Sequence, residues 1–226
     1  MTQRTTLDPG KTQDNRNMGP TSTYPLRSPI GMFADTRLRG SEALERFIAY
    51  KDVSTVLDIG AGAGHQAAIM RNAGKSVTCI SLCEPTDILV DYLNFAAARH
   101  YDGIWASHVL EHQPNVGLFL KKCFSDLRDS GVLAVSVPPM KHNVVGGHLA
   151  LWNAGLLIYN LVIAGFDCSE ARVGSYDYDI SVIVRKKAAT LPPDLQYDAG
   201  DIEKISHFFP VAVRQDFDGR LPDINW

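Results

Sequence analysis

The stretch VLDIGAGAGH, residues 56–65, joins two patterns that are typical of different secondary structures. Its first half continues a β-branched run typical of a buried strand, and its second half carries Gly60, Gly62 and Gly64. The segment HQAAIMRNAG follows and predicts a helix that ends near Gly74. A strand, a glycine turn and a helix in this order let the backbone approach a ligand closely, so we expect a binding site here.

Three interpretations of this turn differ in what it binds. A tight strand-to-helix turn needs no ligand at all. A dinucleotide-binding turn has the spacing GxGxxG, but here Gly64 arrives one residue early and His65 stands in the place of the third glycine. Asp58 also argues against a pyrophosphate, because a carboxylate at the turn attracts an ammonium or sulfonium group instead.

Strand and helix patterns alternate along most of the chain. Helical patterns occupy residues 41–50, 65–74, 116–129 and 150–165. The strand-like runs after VLDIG are SVTCISL, DILVDYL, YDGIWAS, GVLAVSV, FDCSEARV and DISVIVRK. This alternation predicts an α/β fold with an open, doubly wound, mostly parallel sheet of seven strands. Because no helix separates the last two strands, we expect an antiparallel hairpin at one edge, joined through GSYDY.

The composition limits the class of protein and its partners. At 226 residues, 45% of them hydrophobic, the chain is long enough for one domain with a sizeable core. Its 22 basic and 25 acidic side chains give a net charge of -3 without a basic run, so nucleic acid is a poor candidate partner. No apolar stretch is as long as a membrane span, and the polar start MTQRTTLDPGKTQDN lacks the apolar core of a signal peptide. We therefore expect a cytoplasmic protein.

The chain divides into three segments by sequence pattern. Residues 1–40 are expected to form a flexible N-terminal arm, because most of them lack hydrophobic periodicity. Residues 41–187 hold the alternating strands and helices, and residues 188–226 form a C-terminal extension. The extension carries large aromatic side chains, namely Phe208, Phe209, Phe217 and Trp226. It is too apolar for a free linker, so we expect it to pack on the domain or on a partner subunit, as in a homodimer.

The segment SHVLEHQPN, residues 107–115, allows two incompatible interpretations. His108 and His112 have the HxxEH spacing of a zinc peptidase, in which both histidines lie on one face of a helix. The same segment also follows the strand pattern YDGIWAS, and Pro114 disfavours a continuous helix. The strand interpretation places His108 at a carboxyl end, where open α/β sheets bind ligands. We therefore expect no metal site here.

Two ordered motifs resemble those of a known family. VLDIGAGAG resembles the first motif of class I S-adenosylmethionine-dependent methyltransferases, and YDGIWASHVLEHQPNVGLFLKKCFSDLRDSGVLAVSVPP is similar to their later motifs. The resemblance covers residues 41–187 and is greatest to type 11/12-like methyltransferase domains. It implies S-adenosylmethionine as cofactor. By resemblance, four residues pass under its methionine moiety, and Asp58 helps to orient its amino group. The four are Gly60, Ala61, Gly62 and Gly64.

The resemblance also implies the rest of the cofactor site, with one departure. The family has an acidic residue for the ribose hydroxyls where this chain has Ser81, so either the serine binds ribose alone or Glu84 reaches back. Asp91 and Tyr92 occupy the adenine position, although a tyrosine there also packs well under a loop. His108 is expected to face the cofactor crevice. Only CEPTD separates the second and third strands, so the usual helix between them is expected to be missing.

The segments beyond the shared core are similar to a bacterial subgroup associated with polysaccharide and glycan-modifying gene clusters. The loop after the fifth strand borders the acceptor in the family, so five of its residues are candidates for substrate contact: Lys141, His142, Asn143, His148 and Trp152. Their polar and aromatic character fits a sugar, although a surface loop with a buried tryptophan is the plainer alternative. A hydroxyl acceptor needs a base, and His112 or His148 is the candidate. Helix capping and loop hydrogen bonds are the structural alternatives for these two histidines.

The sequence thus predicts an S-adenosylmethionine-dependent methyltransferase that O-methylates a sugar or another small hydroxyl compound. A non-catalytic module that binds a cofactor or partner is a second hypothesis, because Ser81 and the missing helix are changes expected in a decayed site. A dinucleotide-dependent oxidoreductase is a third, which the position of Gly64 disfavours.

Overall fold

The computed structural model describes residues 38–226. The predicted N-terminal arm, residues 1–40, therefore lies almost entirely outside the described residues. Its last residue, Gly40, has φ 69° and directly precedes the first helix.

Seven strands form one sheet in the order β3-β2-β1-β4-β5-β7-β6. Their bounds are β1 Thr55–Ile59, β2 Ser76–Ser81, β3 Ile88–Leu89, β4 Tyr101–Ser107, β5 Leu127–Val137, β6 Arg172–Tyr176 and β7 Asp179–Arg185. The first five are parallel, and β7 pairs antiparallel with both β5 and β6. This confirms the predicted mostly parallel sheet with an antiparallel hairpin at one edge.

Within residues 38–226, five helices accompany the sheet: α1 Ser41–Ile48, α2 His65–Asn72, α3 Val116–Asp126, α4 Ala154–Ile163 and α5 Asp201–Ile205. Buried side chains of α1 and α2 pack in one apolar cluster, and those of α3 and α4 pack in a second cluster. Alternate residues of β1 enter these two clusters, as expected for a strand that is covered on both faces. The sheet is therefore doubly wound.

The edge of the sheet at β3 has a shorter strand than the sequence patterns indicate. The run DILVDYL was predicted as a full strand, but β3 contains only two residues. No helix lies between β2 and β3, as expected, and only a short 3₁₀ turn at Tyr92–Asn94 lies between β3 and β4. A two-residue strand leaves neighbouring apolar groups uncovered, and Leu82 and Leu89 are both exposed.

The carboxyl ends of the parallel strands meet at one edge of the sheet. The chain leaves β1, β2, β4 and β5 at that edge, and the β6–β7 hairpin turns there at residues 177–178. The predicted turn GSYDY is shorter than expected, because its first three residues belong to β6. The candidate site residues therefore gather on this edge, where open α/β sheets bind their ligands.

The C-terminal extension lies against the domain. Phe208 and Phe209 are buried, and Phe217 packs against the same cluster as α3 and α4. The indole of Trp226 stacks on Tyr176 with ring centroids 5.7 Å apart, and its Nε1 donates a hydrogen bond of 2.9 Å to Glu42. These contacts join the end of the chain to the β6 edge and to α1. None of the helices within residues 38–226 is long and apolar enough to cross a membrane.

We expect Trp226→Ala to lower the free energy of unfolding by roughly 2–3 kcal/mol, because it removes ring stacking, a cation–π contact with Arg46 and a hydrogen bond. Trp226→Phe is the matched control, since it keeps a ring and loses the donor, so its cost should be smaller. Urea unfolding of the three proteins measures both changes. Equal stability of the alanine variant and the parent would show that the extension does not support the domain.

Candidate active site

Three glycines in the left-handed region shape the turn after β1. Gly60, Gly62 and Gly64 have φ of 74°, 53° and 75°. An added Cβ at Gly60 would collide with a methyl group of Val109, so this glycine is required by packing. At Gly62 the nearest atom to an added Cβ is 4.0 Å away, and at Gly64 no atom lies within 4 Å. The turn therefore exposes its backbone to open space at Gly62 and Gly64. Ala61 lies between Gly60, which is packed against Val109, and Gly62.

Asp58 is buried behind this turn without a partner. Its side chain is 1% exposed, and its Oδ2 accepts no hydrogen bond. Burial raises the pKa of this carboxyl to about 7, although the charge of Arg71 partly opposes the rise. Buried polar atoms almost always have a partner, so an orphaned carboxylate indicates a group that arrives with a ligand.

A cavity of about 230 Å³ opens beside the turn. Mostly apolar side chains line it, and they come from the ends of β1, β2 and β4 and from the segment before β4. The lining residues are Ile59, Gly60, Ile80, Ser81, Leu82, Val90, Asp91, Tyr92, Val109, His112, Gln113 and Phe119. Asp58 is not part of the lining, because it lies on the opposite face of β1.

Ser81 and Asp91 present polar atoms to this cavity. The Ser81 hydroxyl accepts a hydrogen bond of 3.3 Å from the amide of Cys83. Asp91 caps the following 3₁₀ turn through Oδ1, which accepts from the amide of Leu93 at 2.8 Å. Glu84 does not reach back to the cavity, because its carboxylate accepts from the amide of Thr86 within its own turn.

Tyr92 lines the cavity with its ring only. Its hydroxyl donates a hydrogen bond of 2.9 Å to Asp126, and its ring packs edge-on against Phe119. Burial raises the pKa of this hydroxyl, which therefore stays protonated and committed to Asp126. The predicted aromatic contact of Tyr92 with the adenine stays a prediction, and its hydroxyl bonds to Asp126.

His108 turns away from the cavity, contrary to the expectation from its place after β4. Its Nε2 lies 2.6 Å from Asp179 at the start of β7, and its Nδ1 lies 3.2 Å from Glu111. Burial alone would lower the pKa of His108, but these two carboxylates outweigh it and raise the pKa to about 9. The His108 side chain takes this orientation because its two acidic partners attract it. One of them, Asp179, is 71 residues distant in sequence.

His112 and His148 lie side by side at the mouth of the cavity. Their ring centroids are 5.0 Å apart. His112 Nδ1 donates to the carbonyl of Gly147 at 2.8 Å, which leaves Nε2 with its lone pair. His112 lines the cavity beside the glycine turn, whereas His148 lines a second cavity of about 220 Å³ in the loop after β5. The pair therefore stands between the two spaces.

The loop after β5 places the other predicted residues at two separate positions. Lys141, His142 and Asn143 line the second cavity together with Tyr178. Trp152 is buried and lines a third cavity of about 450 Å³, which it shares with Tyr176, Asp179 and Arg220. Its Nε1 is buried without a partner and is thus a free donor. The second and third cavities share Pro139.

Sequence patterns did not identify Glu111 and Asp179 as site residues. Glu111 was visible in the HxxEH spacing, but its burial and its approach to His148 depend on the folded loop. Asp179 begins a strand without any local motif. It joins β7 to β4 by accepting from His108, and it also accepts from the amide of Gly40 at 2.9 Å.

The cavity by the glycine turn fits a ligand with an apolar or aromatic part and a separate cationic group. The apolar walls suit the former, and the orphaned Asp58 carboxylate suits the latter. Open space at Gly62 lets the ligand pass close to the backbone.

Known proteins match both the sequence and the fold. Residues 32–195 match a protein family described as "Methyltransferase domain". The trans-aconitate 2-methyltransferase of Azoarcus sp. (strain BH72) is 26% identical over 120 residues, which cover 47% of this chain and 47% of that protein. The chain thus spans about half the length of this curated relative.

Two solved structures share the fold. One is the 1,6-didemethyltoxoflavin-N1-methyltransferase of Burkholderia thailandensis, with bound 1,6-didemethyltoxoflavin and S-adenosylhomocysteine. Its TM-score is 0.55 at 20% identity, and the match covers 66% of this chain and 76% of that protein. A SAM-dependent methyltransferase of Archaeoglobus fulgidus has a TM-score of 0.55 at 16% identity and covers 64% and 92%. At these identities the likeness shows the fold.

We expect Asp58→Asn to stabilise the ligand-free protein, and the gain should grow with pH. The carboxyl has a pKa of about 7 in the folded protein and an ordinary value of 3.8 in the unfolded chain. As the pH rises from 3.8 to about 7, the unfolded chain ionises first, so the free energy of unfolding falls progressively. The full penalty, roughly 4 kcal/mol, is present above pH 7 and absent below pH 4. Unfolding curves at pH 5 and pH 8 measure the difference, with Asp129→Asn at a fully exposed site as control. A gain that is the same at both pH values would contradict the account.

Proposed function

The chain belongs to the methyltransferase-domain family, and we propose that it is an S-adenosylmethionine-dependent methyltransferase whose acceptor is a hydroxyl group on a sugar or another small molecule. The observation that carries the proposal is the orphaned Asp58 carboxylate behind a glycine turn that exposes its backbone. A dinucleotide-dependent oxidoreductase is disfavoured, because a buried carboxylate at the turn repels a pyrophosphate.

The cofactor's parts correspond to the parts of this site. When bound, S-adenosylmethionine supplies an electrophilic methyl group on a sulfonium. The backbone of residues 60–64 would hold its methionine part, and Asp58 would attract its amino group. Ser81 would bind ribose with a single neutral hydroxyl, and Asp91 keeps Oδ2 free for the adenine amino group. Leu82 and Val90 supply apolar contact for the adenine ring.

The acceptor would lie between the two neighbouring cavities, at His112 and His148. A hydroxyl oxygen becomes a good nucleophile only as its proton is removed. The hydrogen bond from Nδ1 to Gly147 fixes the tautomer of the neutral His112 imidazole, so that Nε2, 3.9 Å from Glu111, would be the proton acceptor. His148 borders the same space from the second cavity. We therefore assign the removal of the acceptor proton to this histidine pair.

The loop cavities favour an acceptor with several oxygens. Lys141, His142 and Asn143 offer hydrogen-bond donors, and the Lys141 ammonium lies 4.1 Å from the ring centroid of the half-buried Tyr178. Trp152 lines the third cavity, but its unpaired Nε1 is itself buried. These groups suit a sugar hydroxyl acceptor. The glycan-cluster association, a homodimer and a cytoplasmic location stay predictions.

A carboxylate is the second candidate acceptor. Trans-aconitate is the acceptor named for the curated relative, and Lys141 offers a cationic group on the second cavity, whereas Arg220 on the third cavity is paired with Asp218. A carboxylate is already ionised at neutral pH and needs no base. The two candidates are therefore distinguished by the effect of removing His112.

We expect Gly62→Val to abolish binding of S-adenosylmethionine, because a branched side chain would fill the open space that the ligand needs beside the backbone. Gly74→Val is the matched control: it also introduces a side chain at positive φ with no atom within 4 Å, but at the far end of α2. Equilibrium dialysis with labelled cofactor measures binding, and thermal melting checks that both variants fold. Equal affinity in the two variants would refute the assignment of the turn.

We expect His112→Ala to lower turnover with a hydroxyl acceptor by roughly 10²- to 10⁴-fold, with the cofactor affinity nearly unchanged. Release of S-adenosylhomocysteine measures turnover, and the acceptor is found by screening nucleotide sugars, oligosaccharides and small polycarboxylates. His100→Ala is the control, because that histidine is exposed and bonds only to the carbonyl of Ser125 among the contacts described for it. Near-parental turnover of His112→Ala on a hydroxyl acceptor would overturn the role of the pair, and activity confined to carboxylates would support the second candidate.

A further inference from the structure

Glu111 is a buried carboxylate that the proposed methyl transfer leaves without a task. Its side chain has 0% exposure, and neither Oε1 nor Oε2 accepts a hydrogen bond. The contact of Oε1 with His108 at 3.2 Å is an ion pair without hydrogen-bond alignment. Oε1 has the ion pair with His108, whereas Oε2 has no partner within residues 38–226, so a further group that binds this carboxylate is expected.

Two imidazoles stand next to this carboxylate. Each of Glu111, His112 and His148 offers one ligand atom, and these atoms all lie within 4.8 Å of one another. His112 Nε2 is 3.9 Å from Glu111 Oε1. Metal ligands in a closed site are about 3–3.5 Å apart, as follows from bond lengths near 2.1 Å, so a contraction of about 1 Å would complete the set.

The surrounding contacts orient these side chains as they are oriented in metal centres. A metal-binding histidine usually donates its other ring N–H to a carbonyl or carboxylate, and His112 donates Nδ1–H to Gly147. The backbone of the loop is tied to the same place, because the amide of Leu149 donates to the carbonyl of Glu111 at 2.6 Å. His148, between these two anchors, is thus kept near Glu111.

The local charge favours a cation. Glu111 and Asp179 are both buried, and the single imidazole of His108 lies between them. Two acidic groups thus share one imidazole, so acidic side chains outnumber basic ones among these three residues. Because Glu111 and Asp179 are buried, their carboxylates attract a cation more strongly than they would in water.

We propose that Glu111, His112 and His148 form a binding site for a divalent transition-metal cation that holds the acceptor oxygen. The inference deepens the proposed function and rests on it for the identity of the acceptor. One carboxylate and two imidazoles suit Mn²⁺, Co²⁺ or Zn²⁺, and three protein ligands leave coordination positions open. A hydroxyl bound at an open position would lose its proton to water more readily, so in this arrangement His112 would act as a ligand of the cation and not as the base. An acceptor with two neighbouring oxygens could occupy two such positions.

The site revises our expectation that the HxxEH segment binds no metal. The helix interpretation paired His108 with His112, and that pairing does not occur, because His108 faces Asp179. The second imidazole comes instead from His148, in the glycine-rich loop after β5.

The test is calorimetric titration of the metal-stripped protein with MnCl₂, repeated with CoCl₂ while the visible absorption of the cobalt is recorded. We expect one site per chain in the parent. Glu111→Gln keeps the shape but removes the charge, and His148→Ala removes an imidazole from the loop, so each should weaken binding by about 10-fold or more. His100→Ala should bind like the parent. Circular dichroism shows whether each variant folds. If Glu111→Gln, at a buried residue, does not fold, His148→Ala still tests the site.

Two results would overturn the site: no binding by the parent at millimolar metal, or parental affinity in both Glu111→Gln and His148→Ala. Titration with S-adenosylhomocysteine separates this failure from failure of the proposed function. If the cofactor product binds and the metal does not, only the metal site is wrong. If the metal binds and the cofactor product does not, the metal site stands and the methyltransferase proposal fails.

Discussion

The left-handed turn between β1 and α2 is the constraint on which the rest of the site depends. Gly60 is held against the sheet, because its amide donates to the carbonyl of Ile80 and its missing side chain makes room for Val109. Once the chain is fixed there, Gly62 faces open space and α2 begins directly beyond Gly64. The same geometry traps Asp58 behind the turn without a partner. The ionised Asp58 carboxylate therefore lowers the stability of the ligand-free protein, and a cationic ligand group would offset this cost.

The second organising contact joins strands that are distant in sequence. Asp179 on β7 accepts from His108 after β4, and this pair anchors the turn that carries Glu111 and His112. The loop after β5 then closes on that turn through Gly147 and Leu149. Cofactor and acceptor sides of the proposed site therefore meet at His112, which belongs to both.

Local patterns were sufficient for the sheet, the edge hairpin and the glycine turn, because alternation, β-branched runs and glycine spacing act over a few residues. They were insufficient where long-range partners decide an orientation. His108 was expected at the cavity and instead faces Asp179, a residue 71 positions away in sequence. The approach of His148 to Glu111 depends on how a loop folds back, which no spacing encodes.

The central claim is that the cavity beside the glycine turn binds S-adenosylmethionine. Titration calorimetry of the unaltered protein with S-adenosylhomocysteine, and separately with NAD⁺, tests it most directly, because the homocysteine amine suits Asp58 whereas a pyrophosphate does not. The account predicts saturable binding of S-adenosylhomocysteine at one site per chain and no heat of binding with NAD⁺. Binding of NAD⁺ in its place, or binding of neither compound, would contradict it.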